Sequence, residues 1–176
     1  MQQPPKDSVQ LHKQGTPSKV CFGLVIVSTS RAINPNIEDK THAVIKNTLE
    51  LNGHSIGAYI TIPDKIDQIK KNVSQLLANE KIHAIITSGG TGLSKDDVTL
   101  EALTPLFEKE LTSFNPVFAY LSFKQIKAAA IMSRATAGII QNKPVFCLPG
   151  SPKACQLAVA EIINPEIGHI LKIMQT

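Results

Sequence analysis

Tryptophan is absent from this 176-residue chain, and aromatic residues of all kinds make up only 5% of it. Surfaces that bind nucleic acid commonly stack the bases on aromatic side chains. The 18 Lys and Arg residues are scattered along the sequence, and the net charge of +4 is mild. These features argue against a nucleic-acid partner and are compatible with small anionic ligands.

Long apolar runs are also missing. No segment approaches the ~18 consecutive apolar residues of a membrane-spanning helix, and residues 1–7 lack the apolar core of a signal peptide. We therefore expect a cytoplasmic protein that does not enter a membrane.

Cysteine is scarce, and Cys21, Cys147 and Cys155 form no CxxC pair. Each lies in or beside an apolar segment, which predicts buried and reduced thiols. The five histidines are distant from them in sequence, so no zinc site is indicated.

The composition that remains, 43% hydrophobic and 18% charged, is that of one ordinary domain. Residues 1–19 hold three prolines and only Val9 and Leu11 as large apolar side chains. This segment is expected to be a disordered or loosely attached tail. The folded domain is predicted to cover residues 20–176.

Apolar segments with two different periodicities alternate along the domain. Residues 20–27, 55–62 and 82–87 read as strands, the first a continuous apolar run typical of a parallel strand buried on both faces. Helical patterns follow at residues 44–51, 66–77, 99–111 and 114–128, with Pro105 expected to kink or break the third. This alternation predicts an α/β fold, a three-layer α/β/α sandwich with a mostly parallel sheet.

The C-terminal part predicts two more strands and a helix. Residues 136–140 and 144–148 flank Gln-Asn-Lys, which indicates either a hairpin or a return into the sheet. Ser151 and Pro152 are a typical N-cap and first residue of a helix, whose apolar stripe is expected to end before Asn164.

Four polar loops follow the predicted strands, at residues 28–31, 63–64, 88–97 and 149–153. Ligands of open α/β sheets bind beyond the carboxyl ends of the strands. We therefore expect these loops to converge on a single site.

The loop Ser88-Gly-Gly-Thr-Gly92 is the strongest signal of ligand binding. A tight turn would explain some of its glycines, but three in four positions exceed what a turn requires. Glycine allows close approach of the backbone, and successive N–H groups can form a concavity for an anion. The pattern matches neither the Rossmann nor the Walker motif.

Asp64 and Asp97 each lie after a predicted strand and just before a helix. Helix capping is one explanation for both. The other is that two carboxylates at neighbouring strand ends share Mg²⁺ and orient a triphosphate.

Two further segments suit anions. Pro149-Gly-Ser-Pro-Lys153 combines a helix N-terminus, a hydroxyl and an ammonium group, although Ser151 is also explained as an ordinary cap. Arg134, which follows Ser133, is a candidate for a bidentate phosphate contact or for an ion pair with a surface acid.

Four motifs in this order resemble the molybdenum-cofactor biosynthesis family, and most closely the molybdopterin adenylyltransferases and their single-domain relatives. They are Thr87-Ser-Gly-Gly-Thr-Gly92, Asp97-Val-Thr99, Met132-Ser-Arg-Ala-Thr-Ala-Gly138 and Leu148-Pro-Gly-Ser-Pro-Lys153. The resemblance runs from about residue 20 to residue 170. It implies a homotrimer or a hexamer of two trimers, Mg²⁺-dependent adenylylation of molybdopterin by ATP with release of pyrophosphate, and handover of the product to a metal-insertion protein.

The resemblance also implies roles for residues. Asp64 and Asp97 are expected to be catalytic and to bind the metal, the glycine loop to hold a nucleotide or pterin phosphate, and the 149–153 loop to line the pocket. The predicted substrate-binding residues are Ser28, Ser88, Gly89, Gly90, Thr91, Gly92, Thr99, Ser133, Arg134, Pro149, Gly150, Ser151 and Lys153.

The chain departs from the family pattern in two loops. The first reads Ser28-Thr-Ser-Arg31, where the family has an Asp before the Arg, and residues 113–116 read Ser-Phe-Asn-Pro in place of Gly-Phe-Gly-Glu. These departures leave open a non-catalytic pterin- or nucleotide-binding paralogue, or a scaffold of the same fold.

Overall fold

Six strands form one mixed sheet in the computed structural model of the chain, which describes residues 15–34 and 36–175. The strands are β1 (Cys21–Val27), β2 (Ser55–Ile62), β3 (Ala84–Ser88), β4 (Lys109–Glu110), β5 (Thr136–Ile140) and β6 (Lys143–Leu148). Their order is β2-β1-β3-β6-β5-β4. Strands β2, β1, β3 and β6 run parallel to one another, whereas β5 is antiparallel to both β6 and β4. The mostly parallel sheet expected from the sequence is confirmed.

Helices cover both faces of the sheet. They are α1 (Thr29–Ile33), α2 (Lys40–Glu50), α3 (Ile66–Leu77), α4 (Thr99–Leu103), α5 (Phe114–Ile126), α6 (Pro152–Ala158) and α7 (Asn164–Met174). Side chains of α2, α5, α6 and α7 pack into the core on one face, and those of α3 and α4 pack on the other. Because β1 and β3 are covered on both sides, nearly every residue in them is buried. The three-layer α/β/α sandwich is thereby confirmed.

Strands β5 and β6 form a hairpin, which was one of the two alternatives that the sequence left open for this segment. Gln141 and Asn142 join the two strands with φ angles of 47° and 57°. Positive φ at both central residues is the mark of a type I′ turn, whose twist suits antiparallel strands.

Several boundaries differ from expectation, two of them by whole elements. The helix predicted over residues 99–111 ends at Leu103, a 3-10 turn covers Thr104–Leu106, and β4 follows as an edge strand too short to give a periodic signal. The last helix does not stop before Asn164, because a π turn over Val159–Ile163 leads into α7. Pro165 is tolerated there because the first turn of a helix needs no N–H donor.

The predicted tail is only partly described, since residues 1–14 lie outside the described residues. Its last part contacts the domain: the carbonyl of Pro17 lies so near Gly168 that a Cβ added to this glycine would be 2.7 Å from it. The domain boundary at residue 20 stays a prediction. Among residues 15–34 and 36–175, no helix has both the length and the apolar content needed to cross a membrane.

Helix α2 provides a test of the packing. Ile45 is completely buried under the sheet, whereas Leu51, just beyond the helix, is 86% exposed. We predict that Ile45→Ala lowers the free energy of unfolding by about 2–5 kcal/mol through lost burial and a residual cavity. Leu51→Ala should change it by about 0.5 kcal/mol or less. Denaturant unfolding of both variants measures the difference, and equal losses would contradict the assigned packing of α2.

Candidate active site at the carboxyl edge of the sheet

The four loops predicted to converge border one cavity of about 480 Å³ at the carboxyl ends of β1, β2, β3 and β6. Eleven of the predicted site residues line it, and Val27, Arg31 and Met132 line it in addition. The predicted members are Ser28, Asp64, Ser88, Gly89, Gly90, Thr91, Gly92, Asp97, Ser133, Pro149 and Gly150.

The glycine loop begins directly under the end of β1. Gly89 and Gly90 have φ angles of +105° and +62°, and a Cβ on Gly89 would collide with the carbonyl oxygen of Val27. The carbonyls of the two glycines accept hydrogen bonds from Thr99, one from its hydroxyl and one from its N–H, each 2.8 Å long. This geometry requires glycine at both positions.

Three consecutive N–H groups of the loop remain available to a ligand. Those of Gly90, Thr91 and Gly92 form no hydrogen bond with any residue that the structure describes. Gly90 and Thr91 are themselves buried, and both line the cavity. Unpaired donors in such a place favour an anionic guest.

The hydroxyl of Ser88, for which a phosphate contact is predicted, has partners within the protein in this structure. It donates to the carbonyl of Pro149 over 2.9 Å and lies 3.3 Å from Sγ of Cys155. The Cys155 thiol donates to the same carbonyl over 3.0 Å. Ser88 thus joins the glycine loop to the 149–153 loop, and its one hydroxyl hydrogen is used in this bond.

The buried thiols are protonated at neutral pH. Burial raises the pKa of Cys155 to about 12, and it does the same for Cys147. Neither can act as a thiolate nucleophile, which agrees with the interpretation of the sequence as having structural cysteines.

Asp64 does not cap the helix that follows it, since the N-cap of α3 is Lys65. Its Oδ2 instead accepts two hydrogen bonds from Thr29, 2.7 Å from the backbone N and 2.8 Å from the hydroxyl. Oδ1 is turned towards the glycine loop, where a Cβ on Gly90 would be 3.2 Å from it.

Asp97 borders the other end of the same loop. Its Oδ2 accepts a hydrogen bond of 2.9 Å from the N–H of Ser94, and a Cβ on Gly92 would be 2.7 Å from this oxygen. The N-cap of α4 is Val98, so helix capping does not explain Asp97 either.

The donor set fits Mg²⁺ bound together with a nucleotide. Among the described residues no group of three His, Cys, Asp or Glu side chains is arranged to hold a metal alone. Two carboxylates, Asp64 and Asp97, border the cavity. Mg²⁺ is commonly held by one or two carboxylates plus substrate phosphates and water.

Arg134 lies behind the cavity rather than in its lining. Its Nη1 is 2.6 Å from Oε1 of Glu101, and its Nε and Nη2 donate to the carbonyls of Thr91 and Asp97, each over 3.2 Å. The hydrogen bond from Arg134 lowers the pKa of Glu101. The guanidinium therefore holds the glycine loop through these carbonyls, and its predicted contact with a phosphate stays a prediction.

Three other predicted residues also lie outside the main cavity. Thr99 is fully buried beneath the glycine loop. Ser151 and Lys153 line a neighbouring apolar cavity of about 230 Å³, whose walls include Phe118 and Leu157. The two cavities share Ser133 and Pro149, so they adjoin.

Arg31 is the lining residue most conspicuously missing from the predicted set. It is half-buried in α1, with Nη1 3.5 Å from Oδ1 of Asp39. Its loop was included in the predicted convergence, and the strand-end position of Ser28 three residues earlier was the signal that could have identified it.

The backbone requirement at the loop is testable with two glycines that border the same cavity. We predict that Gly89→Ala lowers the free energy of unfolding by about 1–3 kcal/mol, because φ is positive and Val27 blocks a Cβ. Gly150→Ala should change it by about 1 kcal/mol or less, since the added Cβ would meet only Gly89 Cα at 3.5 Å. Thermal and denaturant unfolding compare the two, and a neutral Gly89→Ala would refute the described loop geometry.

Comparisons with known proteins identify the family of the chain. The family model described as "Probable molybdopterin binding domain" matches residues 24–169. The chain is 42% identical over 166 residues to "Molybdenum cofactor biosynthesis protein B" of Bacillus subtilis, covering 94% of this chain and 96% of that one. It is 36% identical over 168 residues to "Molybdopterin adenylyltransferase" of Pyrococcus furiosus, covering 93% and 96%.

A solved structure shares the fold. The crystal structure of a molybdenum cofactor biosynthesis protein B superposes with a TM-score of 0.85 at 34% sequence identity, covering 90% of this chain and 98% of that one. On its sequence, its fold and the motifs gathered at this cavity, the chain belongs to the molybdenum-cofactor biosynthesis family.

Proposed function

We propose that the chain transfers the adenylyl group of ATP to molybdopterin in the presence of Mg²⁺ and releases pyrophosphate. The observation that carries this proposal is the shared cavity, in which two carboxylates flank three unpaired backbone N–H groups. The name of the Pyrococcus furiosus relative supports the same activity.

The two adjoining cavities suit substrates that combine phosphates with a flat ring. The larger cavity is bordered by polar backbone and by Arg31, whereas the smaller is walled by Phe118, Leu157 and Ala154. Phosphates would bind at the glycine loop, and a heterocycle would bury its faces against the apolar walls. A phosphate at Ser133 or Pro149 would lie at the boundary of the two cavities.

Transfer requires an oxygen of the pterin's terminal phosphate to attack the α-phosphorus of ATP. The bond from this phosphorus to the oxygen that bridges it to the β-phosphorus breaks, and pyrophosphate leaves with that oxygen. The N–H groups of Gly90, Thr91 and Gly92 would orient phosphate oxygens and stabilise negative charge. Asp64 and Asp97 would hold the cation, which when bound offsets charge on the leaving pyrophosphate. No covalent protein intermediate is needed, because positioning and electrostatics supply the acceleration.

The assembly and the partners belong to the proposal as well. We expect a homotrimer or a hexamer, and handover of the adenylylated pterin to a metal-insertion protein. Support for self-association comes from apolar side chains left exposed on α5, among them Tyr120, Phe123 and Ile126 at 53–60% exposure.

The catalytic assignment is tested by a pair of neighbouring carboxylates. Asp97→Asn should lower the rate of pyrophosphate release from molybdopterin and MgATP by about 100-fold or more, because it removes a charge that holds the cation. Asp96→Asn, at an exposed position outside the cavity lining, should remain within about twofold of wild type.

Pterin binding, measured by calorimetry, should be largely unchanged in both variants. Wild-type rates in Asp97→Asn would refute the catalytic role of Asp97. Full activity in the presence of EDTA would refute the requirement for a divalent cation. A wild-type protein that binds the pterin but releases no pyrophosphate would favour the non-catalytic alternative.

A further inference from the structure

Thr29 and Asp64 are joined by three hydrogen bonds across two loops. The hydroxyl of Thr29 donates to Oδ2 of Asp64 over 2.8 Å and accepts from the N–H of Asp64 over 3.0 Å. The backbone N–H of Thr29 donates to the same Oδ2 over 2.7 Å. One threonine thus fixes both the main chain and the carboxylate of Asp64.

This arrangement gives the two carboxylate oxygens of Asp64 different surroundings. Oδ2 is held by two donors, and Oδ1 is left facing Gly90 at the edge of the cavity. A partly exposed aspartate without such partners samples several rotamers. The hydroxyl of Thr29 therefore selects the one orientation in which Oδ1 is presented to the glycine loop.

We propose that Thr29 is a positioning residue that orients Asp64 for binding of the divalent cation. Thr29 does not line the cavity and would not touch the substrate. The inference rests on the proposed function for the role of Asp64. It goes further by assigning the cation affinity of the site partly to a residue in the loop where the chain departs from its family's pattern.

A purely structural role is the competing explanation, since Oδ2 of Asp64 also satisfies the N–H of Thr29 at the start of α1. That role would lower stability without changing cation affinity. Outer partners of metal ligands, in contrast, typically contribute about 10–100-fold in metal affinity. The two explanations therefore differ in a binding measurement.

The experiment compares Thr29→Val, which removes the hydroxyl but keeps the shape and the N–H, with Thr29→Ser, which keeps the hydroxyl. Thr104→Val is the matched control, because Thr104 is an exposed residue outside the cavity lining whose hydroxyl donates to the carbonyl of Leu100. Mn²⁺ affinity is measured by electron paramagnetic resonance with a non-hydrolysable ATP analogue present. The Mg²⁺ dependence of pyrophosphate release is measured in parallel.

Thr29→Val should weaken Mn²⁺ binding about tenfold or more and raise the half-saturating Mg²⁺ concentration by a similar factor. The rate at saturating Mg²⁺ should fall much less. Thr29→Ser and Thr104→Val should stay within about twofold of wild type. If Thr29→Val does not fold, Thr29→Ala replaces it.

Two outcomes would overturn the inference: unchanged Mn²⁺ affinity in Thr29→Val, or a crystal structure of this variant with the Asp64 carboxylate in its original place. Asp64→Asn distinguishes a failure of the proposed role of Asp64 from a failure of the proposed positioning by Thr29. If it binds Mn²⁺ and turns over normally, the proposed role of Asp64 itself fails. If it is defective and Thr29→Val adds a further, independent loss to it, only the positioning by Thr29 fails.

Discussion

The site depends on how closely the glycine loop approaches the end of β1. Gly89 lies against the carbonyl of Val27, at a distance that no side chain would permit. This approach places Gly90 beside Asp64 in the stretch Gly90–Gly92, whose three unpaired N–H groups belong to residues that line the cavity. A larger residue at position 89 would move the whole loop outwards and separate the donors from the carboxylates. The chemistry of the site thus follows from one backbone contact.

Hydrogen bonds from three side chains to neighbouring loops keep this geometry fixed without a ligand. Ser88 and Cys155 hold Pro149 from one side, and Arg134 holds the carbonyls of Thr91 and Asp97 from another. The bonds from Ser88 and Arg134 join segments that are more than thirty residues apart in sequence. Sites that are organised before binding lose little free energy to reorganisation when charge develops.

The sequence predicted the layers, the parallel strands and the convergence of the loops, because burial on both faces and strand-end polarity leave strong local signals. It could not predict the partners that the polar side chains have within the protein. Ser88 and Arg134 have the right chemistry for a phosphate, but the structure gives their donors to Pro149, Thr91 and Glu101. Those partners come from distant parts of the chain, so no local sequence pattern predicts them. Edge strand β4 and the π turn were missed for a related reason, since both arise from tertiary packing rather than from periodicity.

The charges around the cavity bear on the proposed binding of a nucleotide together with its cation. Among the described residues that line it, the charged ones are Arg31, Asp64 and Asp97. Arg31 is shared with Asp39 at 3.5 Å, so the positive charge it offers is partly compensated. A bare triphosphate would therefore meet a rim with a net negative charge, which opposes binding. A divalent cation would reverse this sign, because it would attract both the carboxylates and the phosphates, and the backbone N–H groups would then need only to orient the oxygens. The pairing of two carboxylates with a neutral anion-binding loop makes physical sense when metal and phosphate bind as one unit.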